Sequence, residues 1–207
     1  MRTQALEELT APGAPFAVSM EYVLGAKLPV FAQRQRSLRE MLTSSVRYGA
    51  AGYFTLGEHT LTFADNLART TSVAAALRDR YGVQKGDRVA IFSANRPDYA
   101  VLFWAAVSLG AIVTAYNGWW TVDEVRHATD LTAPTIVFGD ARRLARVAPI
   151  DLGAPVVEFE GEFEALATYA PDAALPSTPI DEDDPAVILF TSGTTGRAKG
   201  AVVSHRG

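Results

Sequence analysis

The clearest feature of the chain is an alternation between stretches with helical spacing of apolar residues and short runs that are apolar throughout. In Phe63–Tyr81, apolar residues recur at alternating steps of four and three, which predicts an amphipathic helix. Thr62, with Asp65 three residues later, has the pattern of a capping box at the start of this helix, and Gly82 marks its end. Residues 88–92, which are apolar after Arg88, predict a buried strand that follows the turn at residues 85–87.

Helical patterns and strand patterns keep alternating beyond this strand. Further helices are predicted at residues 97–109, 122–131, 141–147 and 162–169, and further strands at residues 111–115, 135–138 and 155–158. Strands joined by helices of this length call for right-handed crossovers and parallel pairing. Parallel strands of this kind are covered on both faces. The predicted fold class is therefore α/β, a mostly parallel sheet with helices on both faces.

The part of the chain before the long helix is less regular. Residues 1–31 show little periodicity and contain three prolines, so we expect an irregular arm. Ser37 with Glu40 predicts a capped helix at residues 37–47, and residues 53–62 predict a hairpin with a tight turn. The whole pattern divides the chain into an N-terminal arm and helix (1–50), an α/β subdomain (51–170), an acidic, proline-rich connection (171–185), and a strand, loop and strand (186–207).

Two stretches suggest other structures. Residues 99–120 carry no charge, which raises the alternative of a transmembrane span. Gly110 and the β-branched residues at 112–114 instead favour a buried helix that ends at the glycine and leads into a buried strand. The acidic run at residues 181–184 raises the alternative of a metal site, but consecutive carboxylates are more typical of a solvated turn, and we assign it no chemistry.

Composition excludes several classes of function. The formal net charge is -4 and the pI about 5.4, without a basic stripe, which argues against binding to nucleic acid. The absence of cysteine excludes disulfides and thiolate metal sites. Acidic residues near the N-terminus argue against a secretory signal, so we expect a cytoplasmic protein. His59, His127 and His205 are far apart in sequence, and we interpret them as ordinary polar positions.

The most informative stretch is a loop between two apolar runs near the end of the chain. Residues 186–190 predict a buried strand, and residues 201–203 predict a second strand. Between the two runs lie hydroxyl, glycine and basic residues, namely Thr191, Ser192, Gly193, Thr194, Thr195, Gly196, Arg197, Lys199 and Gly200. Glycines let backbone N–H groups converge, hydroxyls donate hydrogen bonds, and the basic side chains add positive charge. Such a loop suits a polyphosphate.

Two common phosphate loops do not fit this stretch. A Walker A loop needs a glycine directly before its lysine and a Ser or Thr after it, whereas Lys199 lies between Ala198 and Gly200. The dinucleotide pattern G-x-G-x-x-G occurs nowhere in the chain. The stretch from Thr191 to Gly200 instead resembles the signature loop of the adenylate-forming superfamily, which includes acyl-CoA synthetases, adenylation domains of peptide synthetases and beetle luciferases. The remaining alternative is a solvated glycine and threonine loop between strands.

The resemblance covers the chain from about residue 53 to residue 207. It includes the segments at residues 95–97, 109–111, 116–121 and 184–186, which look like acyl-CoA synthetase sequence. Trp119 and Trp120 are more similar to the fatty-acid branch of the family, which implies a fatty acid as the carboxylic acid substrate. A tryptophan pair at a strand-to-helix turn also suits simple packing, and this alternative stays open.

The resemblance implies a two-step reaction that uses ATP, Mg²⁺ and CoA. A carboxylate attacks the α-phosphate of ATP, pyrophosphate leaves, and the thiol of CoA attacks the acyl adenylate. Lys199 is then the catalytic charge partner of the leaving pyrophosphate, and Thr194 is a ligand of Mg²⁺. The residues implied to bind the nucleotide are Thr191, Ser192, Gly193, Thr194, Thr195, Gly196, Lys199 and Gly200. Ala198 stands where many relatives have proline, so we expect a looser loop.

The resemblance also sets an expectation about length. Family members carry the elements for adenine, ribose and the acyl chain, and a catalytic lysine, beyond this loop. We therefore expect this chain to be an N-terminal fragment of an acyl-CoA synthetase that does not form acyl adenylate alone. The alternative is a non-enzymatic module that keeps the fold and binds a nucleotide or a partner protein. We expect the fragment to expose surface that further sequence would cover, and to self-associate or exchange domains.

Overall fold

The computed structural model describes residues 2–191 and 197–207. The chain divides into two compact units, Met1–Arg36 and Ser37–Gly207. The larger unit contains the alternating helices and strands, and the smaller one precedes them.

The smaller unit contains regular structure where an irregular arm was predicted, so that prediction was wrong. It consists of α1 (Arg2–Thr10), β1 (Val18–Val23) and β2 (Ala26–Phe31), and the two strands pair antiparallel. Leu24 and Gly25 form the turn with φ angles of 49° and 86°. Pro29 is tolerated in β2 because half of the N–H groups in a two-stranded ribbon point away from the partner strand. Pro12 and Pro15 lie between α1 and β1, where neither interrupts an element.

The larger unit is a three-layer α/β structure, as predicted. Its helices are α2 (Leu38–Ser44), α3 (Phe63–Tyr81), α4 (Pro97–Ser108), α5 (Val122–Thr132), α6 (Ala141–Val147) and α7 (Phe163–Ala167), with a 3-10 turn at Ser45–Tyr48. Its strands are β3 (Gly52–Leu56), β4 (His59–Thr62), β5 (Arg88–Phe92), β6 (Ile112–Ala115), β7 (Ile136–Gly139), β8 (Val156–Glu158), β9 (Pro185–Thr191) and β10 (Lys199–Ser204). β3 and β4 form the predicted hairpin. The main sheet has the order β10-β9-β6-β5-β7-β8, and its pairs are parallel except for β10 with β9.

Local sequence signals fix the start and end of the long helix. The Thr62 hydroxyl accepts a hydrogen bond from the Asp65 N–H at 3.1 Å, and the Asp65 carboxylate accepts one from the Thr62 N–H at 3.3 Å. Gly82 follows the helix with a left-handed φ of 66°. The predicted capping box and glycine stop are therefore confirmed. The helix predicted at residues 37–47 ends earlier, at Ser44, because the Ser45 hydroxyl donates to the Leu42 carbonyl at 2.6 Å and competes with helical N–H groups.

The long uncharged stretch forms α4 and β6, the helix and strand that the glycine and the β-branched residues predicted. Val101, Leu102, Ala105 and Ala106 of α4 are completely buried. Within residues 2–191 and 197–207, no helix has both the length and the apolar character needed to cross a membrane.

The central strand β5 is buried on both faces of the sheet, as the mostly parallel arrangement requires. Val89 and Ile91 belong to one core cluster, which includes residues of α3, α4 and α7. Ala90 and Phe92 belong to a second cluster, which includes residues of α5 and α6. Successive strand residues point to opposite faces, so β5 joins the two layers of helices.

The strand β9 departs from its predicted burial. Ala186 is fully buried, but Leu189 keeps 48% of its surface exposed. Val202 of β10 keeps 61% exposed, because β10 forms the edge of the sheet. The prediction of a buried strand at residues 186–190 is therefore wrong for most of its length. A continuous apolar run is typical of a central strand that is buried on both faces, whereas β9 lies next to the edge strand β10.

The acidic run at residues 181–184 is a half-buried structural turn, not the solvated turn that was predicted. The Asp184 carboxylate lies 2.6 Å from the Lys85 ammonium, and Glu182 lies 2.8 Å from the Arg206 guanidinium. Asp183 also pairs with Arg206, at 2.5 Å. Burial favours the neutral acid, but hydrogen bonds from Lys85 and from the Asp181 N–H hold the pKa of Asp184 below its ordinary value. The turn thereby joins the loop before β5 to the end of β10.

Candidate functional site

The loop predicted to bind phosphates follows β9 at the carboxyl edge of the parallel sheet. β9 runs parallel to β6, with Leu189 in register with Ala115, and β6 runs parallel to β5. The carboxyl ends of all three strands therefore lie along one edge. In open α/β sheets, ligands bind outside this edge. The topology thus places the predicted loop where such a sheet presents its binding site.

The two described ends of the loop meet. Thr191, the last residue of β9, pairs with Lys199, the first residue of β10. Both residues are exposed, and residues opposite each other in an antiparallel pair point to the same face. The Thr191 hydroxyl makes a long hydrogen bond of 3.5 Å to the Lys199 carbonyl. The residues predicted between them, Ser192, Gly193, Thr194, Thr195 and Gly196, lie outside the described residues.

The ammonium group of Lys199 is available to an anion. In the part of the chain that the structure describes, Lys199 takes part in no ion pair. The other lysine of this unit, Lys85, is held by Asp184 at 2.6 Å. An exposed ammonium beside an exposed hydroxyl suits the charged, hydrogen-bond-accepting oxygens of a polyphosphate.

Close packing against β9 explains why position 200 is a glycine. A Cβ at this position would lie 2.8 Å from Cγ2 of Ile188, closer than side chains tolerate. Glycine therefore lets β10 pair closely with β9 beside the loop. The predicted contact between Gly200 and phosphate remains a prediction.

An aromatic cluster anchors the chain immediately before the loop. Phe190 lies edge-on to Trp120, with ring centroids 4.9 Å apart and an interplanar angle of 80°. Tyr116 packs against both rings, at 5.9 Å from Phe190 and 5.7 Å from Trp120. Trp120 is only 7% exposed, whereas Trp119 is 78% exposed. The packing alternative for the tryptophan pair therefore holds for Trp120, and Trp119 is a surface residue.

His127, which the sequence analysis interprets as an ordinary polar position, contacts the backbone directly before Lys199. His127 on α5 lies with Nε2 3.0 Å from the carbonyl oxygen of Ala198, one residue before Lys199. The histidine borders a cavity of about 370 Å³, whose lining is Asp123, Glu124, Arg126, His127, Asp130, Arg197 and Ala198. No local pattern identifies His127, because 71 residues separate it from Ala198. Only the adjacency of β6 and β9 brings α5 to the loop.

A buried carboxylate occupies the point where neighbouring strand connections diverge, between β5 and β7. Asp140 accepts hydrogen bonds from the Ser93 hydroxyl at 3.1 Å and the Ala94 N–H at 2.9 Å. Its Oδ2 also lies 2.7 Å from the Arg143 guanidinium. Burial favours the neutral acid, but these hydrogen bonds, with that of the Arg143 N–H, hold the pKa of Asp140 below its ordinary value. Groups of the chain itself satisfy Asp140, so it is a structural carboxylate.

Two arginines of α6 donate hydrogen bonds to the turn that carries the tryptophans. Arg143 Nε donates to the Gly118 carbonyl at 3.1 Å, and Arg146 donates to the Trp120 carbonyl at 2.9 Å. A Cβ at Gly118 would meet Arg143 Nε, so any larger residue there would require the arginine side chain to shift. The turn after β6, and with it Trp120, is fixed against α6.

The described residues supply no ready-made metal centre. Across the ranges 2–191 and 197–207, no group of three or more His, Asp or Glu side chains is placed to hold a metal ion. The predicted Mg²⁺ ligand, Thr194, lies outside those ranges.

Comparison with known proteins gives consistent matches. A family model described as AMP-binding enzyme matches residues 43–207. The chain is 36% identical over 154 residues to 4-coumarate–CoA ligase 5 of Oryza sativa subsp. japonica, covering 72% of this chain and 28% of that protein. It is 32% identical over 149 residues to a feruloyl-CoA synthase of an Amycolatopsis species, covering 72% of this chain and 29% of that protein.

The fold also matches a solved structure. The N-terminal domain of FACL13 from Mycobacterium tuberculosis superposes with a TM-score of 0.73 at 22% identity, covering 83% of this chain and 44% of that chain. At this identity the likeness concerns the fold alone. The chain spans less than a third of the length of the two CoA ligase relatives.

The family match covers most of the chain, and it includes the loop and both strands beside it. The sequence resemblance to adenylate-forming enzymes is thereby confirmed. The chain belongs to the AMP-binding enzyme family.

Proposed function

We propose that these residues form the N-terminal, phosphate-binding part of an ATP-dependent CoA ligase. The ligase joins a carboxylate to AMP with release of pyrophosphate and then transfers the acyl group to CoA. The observation that carries the proposal is the pairing of Thr191 with Lys199 at the carboxyl edge of the sheet, where both side chains are exposed. The family match across residues 43–207 supports the nucleotide as the ligand.

The proposed role of the loop follows from the charge changes of the first step. Negative charge accumulates on the pyrophosphate as its bond to the α-phosphate breaks. An ammonium and hydroxyl groups aimed at the β- and γ-phosphates stabilise this leaving group and hold the α-phosphate in line with the attacking carboxylate. We assign the ammonium to Lys199. The hydroxyl and backbone donors are assigned to Thr191, Ser192, Gly193, Thr194, Thr195, Gly196 and Gly200.

Mg²⁺ is proposed as the partner of ATP at this loop. We assign the hydroxyl of Thr194 as its protein ligand, in keeping with the preference of Mg²⁺ for oxygen ligands and substrate phosphates. The ion, when bound, would neutralise part of the phosphate charge.

The substrate is proposed at the level of a carboxylic acid, with CoA as acceptor. The relatives named above are ligases of 4-coumarate and ferulate by name, whereas the tryptophan pair predicts a fatty acid. Trp120 packs inside the fold and gives no support to either. Turnover of 4-coumarate, ferulate and a medium-chain fatty acid by the complete gene product that contains these residues would identify the class.

The test of the proposal is ATP–pyrophosphate exchange by that complete gene product. Lys199→Ala should lower kcat/KM for ATP by about 100-fold or more, the usual effect of removing a donor to a developing negative charge. Lys27→Ala is a suitable control, because Lys27 is an exposed lysine on β2, in the smaller unit. Exchange that survives Lys199→Ala unchanged would contradict the proposal.

The isolated 207-residue chain is proposed to be inactive, since it spans less than a third of the relatives' length. Exchange by this polypeptide alone would refute that part. Self-association also stays a prediction, supported by the exposed Leu189 and Val202 beside the sheet edge. Sedimentation as a monomer at high concentration would contradict it.

A further inference from the structure

His127 is placed to control the point at which the chain leaves the loop and enters β10. Its Nε2 lies 3.0 Å from the carbonyl oxygen of Ala198, and the next residue is Lys199. A carbonyl oxygen only accepts hydrogen bonds, so Nε2 carries the hydrogen and donates it. Neutral histidine with its hydrogen on Nε2 and the imidazolium form can both make this contact.

The backbone at Ala198 lies just outside the strand ladder. The pairing of β10 with β9 begins at Lys199, opposite Thr191. Its two described contacts are therefore important: the hydrogen bond from His127, and the packing of the Ala198 side chain against the core cluster that contains Phe92 and Trp120. Together they fix the direction in which the chain reaches Lys199.

The element that carries His127 is a rigid support. Thr121 and Glu124 form a capping box at the start of α5, with the Glu124 carboxylate 2.7 Å from the Thr121 N–H. Val125 and Ala128, on either side of His127, are fully buried. The helix therefore sets the position of His127, and the hydrogen bond from His127 in turn restrains the Ala198 carbonyl.

We propose that His127 is a positioning residue that aims the Lys199 ammonium at the polyphosphate by holding the Ala198 carbonyl. The inference rests on the proposed function, because it needs Lys199 to contact phosphate. It assigns His127 no proton transfer. Replacements that keep a donor at this position should therefore keep activity.

The test compares two replacements of almost equal size in the complete gene product. Glutamine retains an N–H donor for the Ala198 carbonyl, whereas methionine has no donor and adds no charge. We expect His127→Met to lower kcat/KM for ATP in pyrophosphate exchange by about tenfold, the value of one hydrogen bond in a defined site. His127→Gln should stay within about threefold of the parent. Arg126→Ala is the matched control, because Arg126 lines the same cavity and pairs with Asp123 at 2.6 Å.

A double-mutant cycle with Lys199 makes the inference independent of folding effects. If His127 acts through Lys199, His127→Ala should lower activity in the parent and have little further effect in the Lys199→Ala background. Equal losses in both backgrounds, or equal losses for the glutamine and methionine variants, would overturn the inference. Binding of Mg–pyrophosphate, measured by calorimetry, should weaken with His127→Met and not with His127→Gln.

The outcomes also separate this inference from the proposed function. Normal exchange by Lys199→Ala would refute the proposed function. Loss of exchange in the Lys199→Ala variant, together with full activity of the His127→Met variant, would refute only the role of His127.

Discussion

Trp120 and Phe190 meet edge-on with ring centroids 4.9 Å apart, and Phe190 is the residue directly before Thr191. The contact joins the turn after β6 to the strand that enters the loop. Arg143, which donates to the Gly118 carbonyl in this turn, is itself paired with Asp140 directly after β7. The position of Thr191 therefore depends on side chains that follow β6 and β7 as well as on β9 itself.

Trp120 should be important for stability, and its neighbour Trp119 should not. Trp120→Ala removes a buried aromatic side chain and should lower the free energy of unfolding by about 3 to 5 kcal/mol. Trp119 is 78% exposed, so Trp119→Ala should change it by no more than about 0.5 kcal/mol. Urea unfolding of the 207-residue chain measures both. Similar losses for the two variants would contradict the packing described for this turn.

Gly139 should be intolerant of even a methyl group. A Cβ there would lie 2.6 Å from Cδ2 of Leu144 and 3.0 Å from the Phe92 carbonyl oxygen. Gly139→Ala should therefore cost about 1 to 3 kcal/mol of unfolding free energy, the usual range for overpacking. Gly161→Ala is the control, because the nearest atom to its Cβ would lie 3.9 Å away. A Gly139→Ala variant as stable as the control would mean that β7 and α6 are less closely packed than described.

His205 should make stability depend on pH. Its Nδ1 accepts a hydrogen bond from the Leu38 N–H at 3.2 Å, and its buried Nε2 has no partner among the described residues. Burial, together with the nearby Arg39 and Lys85, lowers the pKa of His205, although Asp184 opposes the shift.

The direction of this dependence follows from the lowered pKa. A histidine in the unfolded chain has a pKa of about 6.5. Between that pH and the lower pKa of His205 in the folded protein, the unfolded chain therefore binds more protons than the folded chain. The stability that neutral His205 confers is complete above about pH 6.5 and is lost as the pH falls through the folded pKa. His205→Asn keeps an acceptor for Leu38 but does not titrate, so its unfolding free energy should fall less between about pH 8 and about pH 5. An identical decline in both proteins, measured by urea unfolding, would exclude His205 as the cause.

The sequence predicts those parts of the fold that depend on nearby residues. The capping boxes at Thr62 and Thr121 are complete within four residues, and both are present in the structure. The alternation of periodicities likewise predicts the helices and the parallel sheet. The sequence does not predict the N-terminal hairpin, because proline usually interrupts a strand, whereas Pro29 lies in a two-stranded ribbon that tolerates it.

The surroundings of the site depend on contacts between distant residues, which no local pattern contains. His127 meets Ala198 across 71 residues, and His205 meets Leu38 across 167. The acidic turn has its partners at Lys85 and Arg206, so its charges looked solvated in the sequence alone. The loop motif was recognisable because its chemistry lies in consecutive residues. The residues that contact the chain on either side of the loop, Trp120 and His127, are identified only by the structure.

The central claim is that the loop between β9 and β10 contacts a polyphosphate through Lys199. The most direct measurement is a titration of the isotope-labelled 207-residue chain with Mg–pyrophosphate, followed by amide and lysine-ammonium NMR. The account predicts shifts concentrated at residues 191–200, including the Lys199 ammonium, and absent from the Lys27 ammonium on β2. No shifts in the loop, or shifts that persist elsewhere in a Lys199→Ala variant, would contradict it.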